Sequence, residues 1–511
     1  MFSTILSGAF CGIDSYLVQV EVDVAQGLPC MELIGGLSRE AGEAKQRIRV
    51  ALKNIGIHLP PSRITINLSP ADRHKSGTAF DLPAAVGLLV SMGLAEEKRT
   101  KNILFAGELG LDGEIKPVKG ILPVVKKAAE FGIKCCVVPK ANGREAANVE
   151  GVTVYGAENI QQIVTFLQQS PEEAGLLPEK REEKQTAVIY PEDFAEIAGQ
   201  ETVRRAAEIA AAGFHHMLLI GPPGSGKTMI ARRLPSILPP LSEEESLEVS
   251  AIYSVCGRLQ EEGLLRERPF LAPHHTATGS SLIGGGRIPV PGAVSLAHRG
   301  VLFLDEMTEF KRNVLDMLRQ PLEDKKVQIT RTYGTITYPA DFILVGALNP
   351  CPCGYYPDEN KCSCRESEIR KYLGHISGPV LDRMDLCVEM QQLEFDKVLD
   401  GKKGESSEMI RRRVMAARSV QEKRFAGSRI RFNGEMGSRE MEQYCALDQE
   451  CQKHLKKAAE MFGLSIRACH KIVRVARTIA DLAGESRIGS SHINEAIHYR
   501  AAAGTYWGRR G

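Results

Sequence analysis

The stretch that most constrains this chain is HHMLLI followed directly by GPPGSGKT, residues 215–228, and then MIARRLPSIL. An apolar run, a glycine loop and a helical segment in that order allow little except a buried strand that turns sharply into a helix N-terminus. Gly221, Gly224 and Gly226 free the backbone to turn its N–H groups inward, with Pro222, Pro223 and Ser225 between and beside them. Lys227 is placed to neutralise the β and γ phosphates of a nucleotide, and the Thr228 hydroxyl to reach Mg²⁺. A chance match on a surface loop would lack the flanking strand and helix.

A second apolar run, VLFLDE at 301–306, ends in two carboxylates. Asp305 is expected to hold Mg²⁺ through water, and Glu306 to polarise the water that attacks the terminal phosphate of ATP. Either alone would be an ordinary strand end. The run FILVGALNP (342–350) brings Asn349 to a third strand end, where its amide can orient the same water. This strand order predicts a doubly wound α/β sheet with the ligand at its carboxyl edge.

Around that core, residues 1–168 alternate strand-like runs (VQVEVDV, RITINLSP) with a helical AGEAKQRIRVALKNIG. The charged, proline-bearing stretch within 169–189 reads as a linker, 190–395 as the nucleotide-binding core, and 396–511 as a charge-rich helical unit. The net charge of +2 gives no global basic field, so any surface for nucleic acid must be local. No secretory leader and no run of 18 apolar residues is present, which predicts a cytoplasmic protein whose 13 cysteines are thiols or metal ligands. Four of them, Cys351, Cys353, Cys362 and Cys364, form two C-x-C pairs on a Gly/Pro loop and could close a structural Zn²⁺ site; unliganded thiols are the alternative.

VQIT and TITY flank RTYG at 331–334 and predict a hairpin inserted before the third strand, with Arg331 at its tip and Lys325 and Lys326 at its base. Such cations can grip a phosphate backbone without reading bases. Arg467, Lys471 and Arg474 recur along one face of a C-terminal helix, a stripe expected to be solvated.

Together, GPPGSGKT, VLFLDE, Asn349 in ALNP, LDRMDL and a C-terminal SIR helix resemble the AAA+ ATPases. The segment APHHTATGSSLIGGGRIPVPGAVSLAHRG resembles their helix-2-insert branch, which holds magnesium chelatase motors and MCM helicases. The whole chain resembles the YifB/ComM family, the magnesium-chelatase-like proteins. That resemblance implies an AAA+ core with a helical lid, a ring that is most simply a hexamer, Arg383 as a finger reaching the neighbour's ATP, and Arg467 as a second sensor. It also implies that the hairpin lines a pore and touches DNA, single-stranded or branched, with ATP hydrolysis driving translocation and branch migration. Remodelling of a protein partner by a chelatase-like motor is the other implied class.

The N-terminal region, through GELGLDGEIKPVKGILPVVKKAAEFGI, resembles the Lon protease domain, an α+β fold. The position of the Lon nucleophile carries Ala79, and the segment of its lysine carries Leu122, Pro123 and Val124, with Lys126 and Lys127 about one helical step away. Proteolysis is therefore not expected. Ser76 and Thr78 are the nearest hydroxyls.

Overall fold

The computed structural model describes residues 1–181, 190–259, 263–287, 289–331, 334–392 and 404–507. The N-terminal unit is built on a seven-stranded mixed sheet of β1 (Phe2–Cys11), β2 (Asp14–Ala25), β3 (Cys30–Ile34), β4 (Arg63–Ser69), β5 (Ile103–Phe105), β6 (Cys135–Pro139) and β7 (Thr153–Ala157). Their spatial order is β3-β4-β2-β1-β5-β6-β7. The alternation of RITINLS is realised in β4, where Ile64, Ile66 and Leu68 point into the core. Helix α1 (Ala44–Asn54) buries Ile48, Ala51 and Leu52, one face of its 3.6-residue period. Helix α2 (Asp81–Ser91) is buried along its whole length against β1 and β2. A Cβ at Gly87 would lie 2.5 Å from Val22, so only glycine allows so close an approach. Helix α3 (Ile121–Glu130) closes the face toward the next unit.

The first part of the expected linker is packed rather than free. Leu176 and Ala174 are buried, and the Glu179 N–H donates to the Val154 carbonyl at 2.8 Å. The remainder, 182–189, lies outside the described residues, as does the expected boundary at 395/396.

The central unit contains α4 (Glu201–Gly213), β8 (Met217–Ile220), α5 (Lys227–Ile237), α6 (Glu243–Cys256), β9 (Phe270–Leu271), β10 (Val301–Leu304), β11 (Lys326–Arg331), β12 (Gly334–Pro339), β13 (Ile343–Leu348) and β14 (Leu386–Glu389). Strands β9-β10-β13-β8-β14 form a five-stranded sheet in that order, and every pair is parallel. β8, β10 and β13 are buried at every position, which is why they read as unbroken apolar runs. β11 and β12 pair as an antiparallel hairpin from Lys326↔Pro339 to Arg331↔Gly334, as the sequence predicts. Its tip, residues 332 and 333, lies outside the described residues.

The C-terminal unit is helical: α7 (Ser407–Arg424), α8 (Gln449–Phe462), α9 (Ile466–Leu482) and α10 (Ser490–Trp507). Ser406, Asp448 and Ser465 each accept a backbone N–H at the start of α7, α8 and α9, the usual chemistry of a helix N-cap. Among the described residues no helix is long and apolar enough to cross a membrane.

The cationic stripe on α9 is not a solvated face. Lys471 Nζ pairs with Asp385 Oδ1 at 2.8 Å, and Arg474 donates to the Gly434 carbonyl at 3.2 Å, leaving Arg467 exposed in the first turn. Asp385 also accepts the His216 backbone N–H at 3.0 Å, so one carboxylate ties α9 to the base of β8 and β14. Burial opposes its charge, yet Lys471 and the neighbouring histidines hold the Asp385 carboxyl well below its usual range.

Removing that carboxylate strands a buried ammonium. Asp385→Ala is expected to cost about 3–5 kcal/mol in urea denaturation of the full chain, and Asp385→Leu with Lys471→Met to recover most of it. Equal stability of Asp385→Ala and wild type would show that the pair is not a clasp.

Candidate nucleotide site and cysteine cluster

The parallel register builds the site. Ile220 pairs with Leu348 and Leu304 with Gly346, so β8, β13 and β10 end side by side. The next residues out are Gly221, Asn349 and Asp305. Gly224 and Gly226 take φ of 75° and 88°, the left-handed conformation in which a side chain is strained. α5 then starts at Lys227 and aims its free N–H groups at the loop.

Lys227 Nζ donates to the carbonyls of Gly221 and Pro222 at 2.7 and 2.9 Å and to Asn349 Oδ1 at 3.1 Å. Burial lowers its pKa from the usual lysine value, against the pull of Asp305 and Glu306. Thr228 Oγ1 donates to Asp305 Oδ2 at 2.8 Å, which puts the two expected Mg²⁺ ligands next to each other. Ser225 Oγ is buried without a hydrogen-bond partner. Hydroxyl, carboxylate and buried ammonium at a glycine loop are the donor set a Mg-nucleotide requires.

Glu306 takes φ 48°, left-handed for a non-glycine residue, and its side chain is 60% exposed. Such strain is kept where the surroundings enforce it. Its Oε2 lies 3.4 Å from His275 Nδ1. His275 belongs to none of the nucleotide motifs. The signal was the HH pair inside the long segment between the two nucleotide motifs.

The two arginines assigned through resemblance are not drawn into this cluster. Arg383 donates to the Pro379 carbonyl at 2.7 Å and pairs with Glu323. Arg467 is exposed and makes no ion pair among the described residues.

Of the three hairpin cations, Lys325 differs from expectation. Its ammonium is held by Asp341 at 3.2 Å and by Glu435 of the helical unit, because two carboxylates converge at the hairpin base. Lys326 and Arg331 are exposed. Arg331 Nε donates to the Gly286 carbonyl at 3.2 Å, so the hairpin leans on the segment between the nucleotide motifs.

Cys351, Cys353, Cys362 and Cys364 converge, with their sulfurs all within 4.8 Å of one another. In the N-terminal unit, Ala79, Ser76 and Lys119 line a recess of about 10 Å³, room for roughly one water. Leu122 is buried, and the Thr78 hydroxyl donates to Glu108.

Three family models match successive parts of the chain: "Subunit ChlI of Mg-chelatase" at 20–142, "Magnesium chelatase, subunit ChlI" at 193–398, and "Magnesium chelatase, subunit ChlI C-terminal" at 404–500. The competence protein ComM of Haemophilus influenzae is 40% identical over 502 residues, 97% of each chain. The chain belongs to the YifB/ComM family of magnesium-chelatase-like proteins. YifB of Escherichia coli, described as uncharacterized, is 40% identical over 505 residues, 98% of this chain and 97% of its own. Lon protease 2 of Bacillus subtilis is 29% identical over 207 residues, 36% of this chain and 37% of its own. In this YifB/ComM protein the three matches follow the three structural units.

Lys227→Ala removes the buried cation of the loop. A fluorescent ATP analogue with Mg²⁺ is expected to bind about 10- to 150-fold more weakly, the value of one charge-assisted hydrogen-bond set at about 1.5–3 kcal/mol. Unchanged affinity would exclude this loop as the phosphate site.

Proposed function

We propose that the chain is a cytoplasmic AAA+ ATPase, with a Lon-like N-terminal domain and a helical lid, that assembles as a hexameric ring and couples ATP hydrolysis to movement of DNA, promoting branch migration of branched DNA. The observation that carries the ATPase reading is the meeting of Lys227 with Asn349 and of Thr228 with Asp305 beside the exposed Glu306. Lys227 neutralises the β and γ phosphates, while Glu306 and Asn349 orient and polarise the attacking water. Thr228 and Asp305 would hold Mg²⁺, which would supply charge neutralisation. Arg383 would be given to the neighbouring subunit's ATP, and Arg467 would sense the nucleotide from the lid. Catalysis then depends on assembly.

The DNA reading is supported by the exposed Lys326 and Arg331 on the β11–β12 hairpin, and by a relative whose name is competence protein ComM. Lys325 anchors that hairpin and is not proposed as a strong phosphate contact. Four converging thiolates add a structural Zn²⁺ to the proposed cofactors ATP and Mg²⁺. Peptide hydrolysis is not proposed, since Ala79 offers no nucleophile and Leu122, Pro123 and Val124 no base.

The deciding experiment follows a labelled four-way junction with purified protein and Mg-ATP, beside Glu306→Gln. Conversion to duplex arms by the wild type, absent in the variant, is expected. Intact ATP hydrolysis with no conversion would favour the chelatase-like alternative, a motor that remodels a protein partner. Arg331→Ala is expected to weaken DNA binding and to lower the slope of log affinity against log salt by about one, as loss of one phosphate contact does. An unaltered slope would remove the hairpin tip from the DNA path.

A further inference from the structure

The cysteine loop has a position that a mere thiol cluster would not need. It begins two residues after Asn349, at the end of β13, and runs to Cys364 with no strand or helix of its own. Turns hold it locally: the Gly354 N–H donates to the Cys351 carbonyl at 3.0 Å and the Cys362 N–H to the Asp358 carbonyl at 2.8 Å. Sulfur separations are 3.3 Å for Cys351–Cys353, 3.7 Å for Cys351–Cys362 and 3.6 Å for Cys353–Cys362. A disulfide requires about 2.05 Å. Four thiolates around a tetrahedral Zn²⁺ at about 2.3 Å lie roughly 3.8 Å apart, close to these values. The backbone N–H of Tyr356 points at Cys351 Sγ from 3.4 Å, a donor suited to a thiolate. With four sulfur ligands no coordination position is left for water or substrate, so such a metal is structural.

Three other parts of the molecule meet this loop. Gly354 faces the phosphate loop so closely that a Cβ would lie 2.5 Å from Pro223 Cδ. Asn349, two residues before Cys351, accepts a hydrogen bond from the Lys227 ammonium. Tyr356 packs edge-on against Tyr506 of α10, with ring centres 6.0 Å apart, and Trp507 donates to the Leu373 carbonyl at 3.2 Å. Cys353, Cys362, Cys364, Tyr356, Tyr506 and Trp507 all pack on the same apolar core as β10 and β13.

We propose that Cys351, Cys353, Cys362 and Cys364 bind one Zn²⁺, and that the metal-closed loop braces the phosphate loop and Asn349 against the last helix of the lid. Metal binding takes the protons from the thiols and needs no redox partner. Removing the ion frees the loop between its two anchors, and the face that supports Pro223 is lost. The nucleotide-affinity part of this inference rests on the ATP-site reading; the metal part does not.

The test uses the full chain purified without chelator. Zinc analysis is expected to give about one Zn²⁺ per chain, and near none for Cys353→Ser with Cys362→Ser. That double variant is expected to bind the fluorescent ATP analogue at least about tenfold more weakly. Because it can also fail to fold, Gly354→Ala is measured beside it. Gly354→Ala keeps all four sulfurs, so it is expected to retain zinc and still lose nucleotide affinity, since its Cβ meets Pro223. A protein without zinc, which also takes up none on titration with Zn²⁺, overturns the site. Zinc at full occupancy with normal nucleotide affinity in Gly354→Ala overturns the brace. Failure of the ATP-site reading looks different: the analogue would bind Lys227→Ala as well as wild type, whatever the zinc content.

Discussion

The parallel alignment of β8, β10 and β13 is the constraint on which the rest depends. Three buried strands in register must end at one edge, and the residues immediately beyond those ends are the phosphate loop, Asp305 with Glu306, and Asn349. A one-residue slip would turn Asp305 or Asn349 to the opposite face of the sheet, because side chains alternate along a strand. Runs without polar residues hold that register, buried on both faces by helices. The chemistry is placed by apolar packing several residues away from it.

Charge joins the remaining parts in addition to a shared apolar core. Arg431 of the helical unit lies 3.5 Å from Glu245 and 3.9 Å from Glu248 on α6; Glu248 meets Arg299 at 3.1 Å; Arg299 meets Asp341 at 2.6 Å. Asp341 meets Lys325 at the hairpin base, and Lys325 returns to Glu435 of the helical unit. This chain runs round a cleft of about 790 Å³ where all three units meet. Burial opposes ionisation of Glu248, but His298 and Arg299 pull its carboxyl down to about 2, so the network stays charged at neutral pH.

In the N-terminal unit Ala79 lines a recess of about 10 Å³, and Leu122, near its lining residues Ile121 and Val124 in sequence, is buried. Two residues on from Ala79, Asp81 is fully buried and receives two hydrogen bonds from Arg47, at 2.6 and 3.0 Å. The N-terminal unit also contacts the central unit. Its helix α3 lies against α6, and the Gly120 N–H donates to the Ser254 carbonyl at 3.0 Å.

What the sequence determined by itself was everything carried by local pattern. The glycine loop, the apolar strands, the hairpin around RTYG and the two C-x-C pairs are short-range signals, and each forms where the residues require it. What only the tertiary structure decided was which charges find partners. Lys471 looked like one member of a solvated stripe and is a buried clasp to Asp385, while Lys325 looked like a free cation and is held by Asp341 and Glu435. His275 lies 31 residues before the Glu306 it meets, too far for any helical or strand period to pair them. Packing of the first linker residues around Leu176 was hidden for the same reason. Periodicity reports which face of an element is buried, but the partner of a charge is set by segments remote in sequence, and a single chain's pattern holds no record of them.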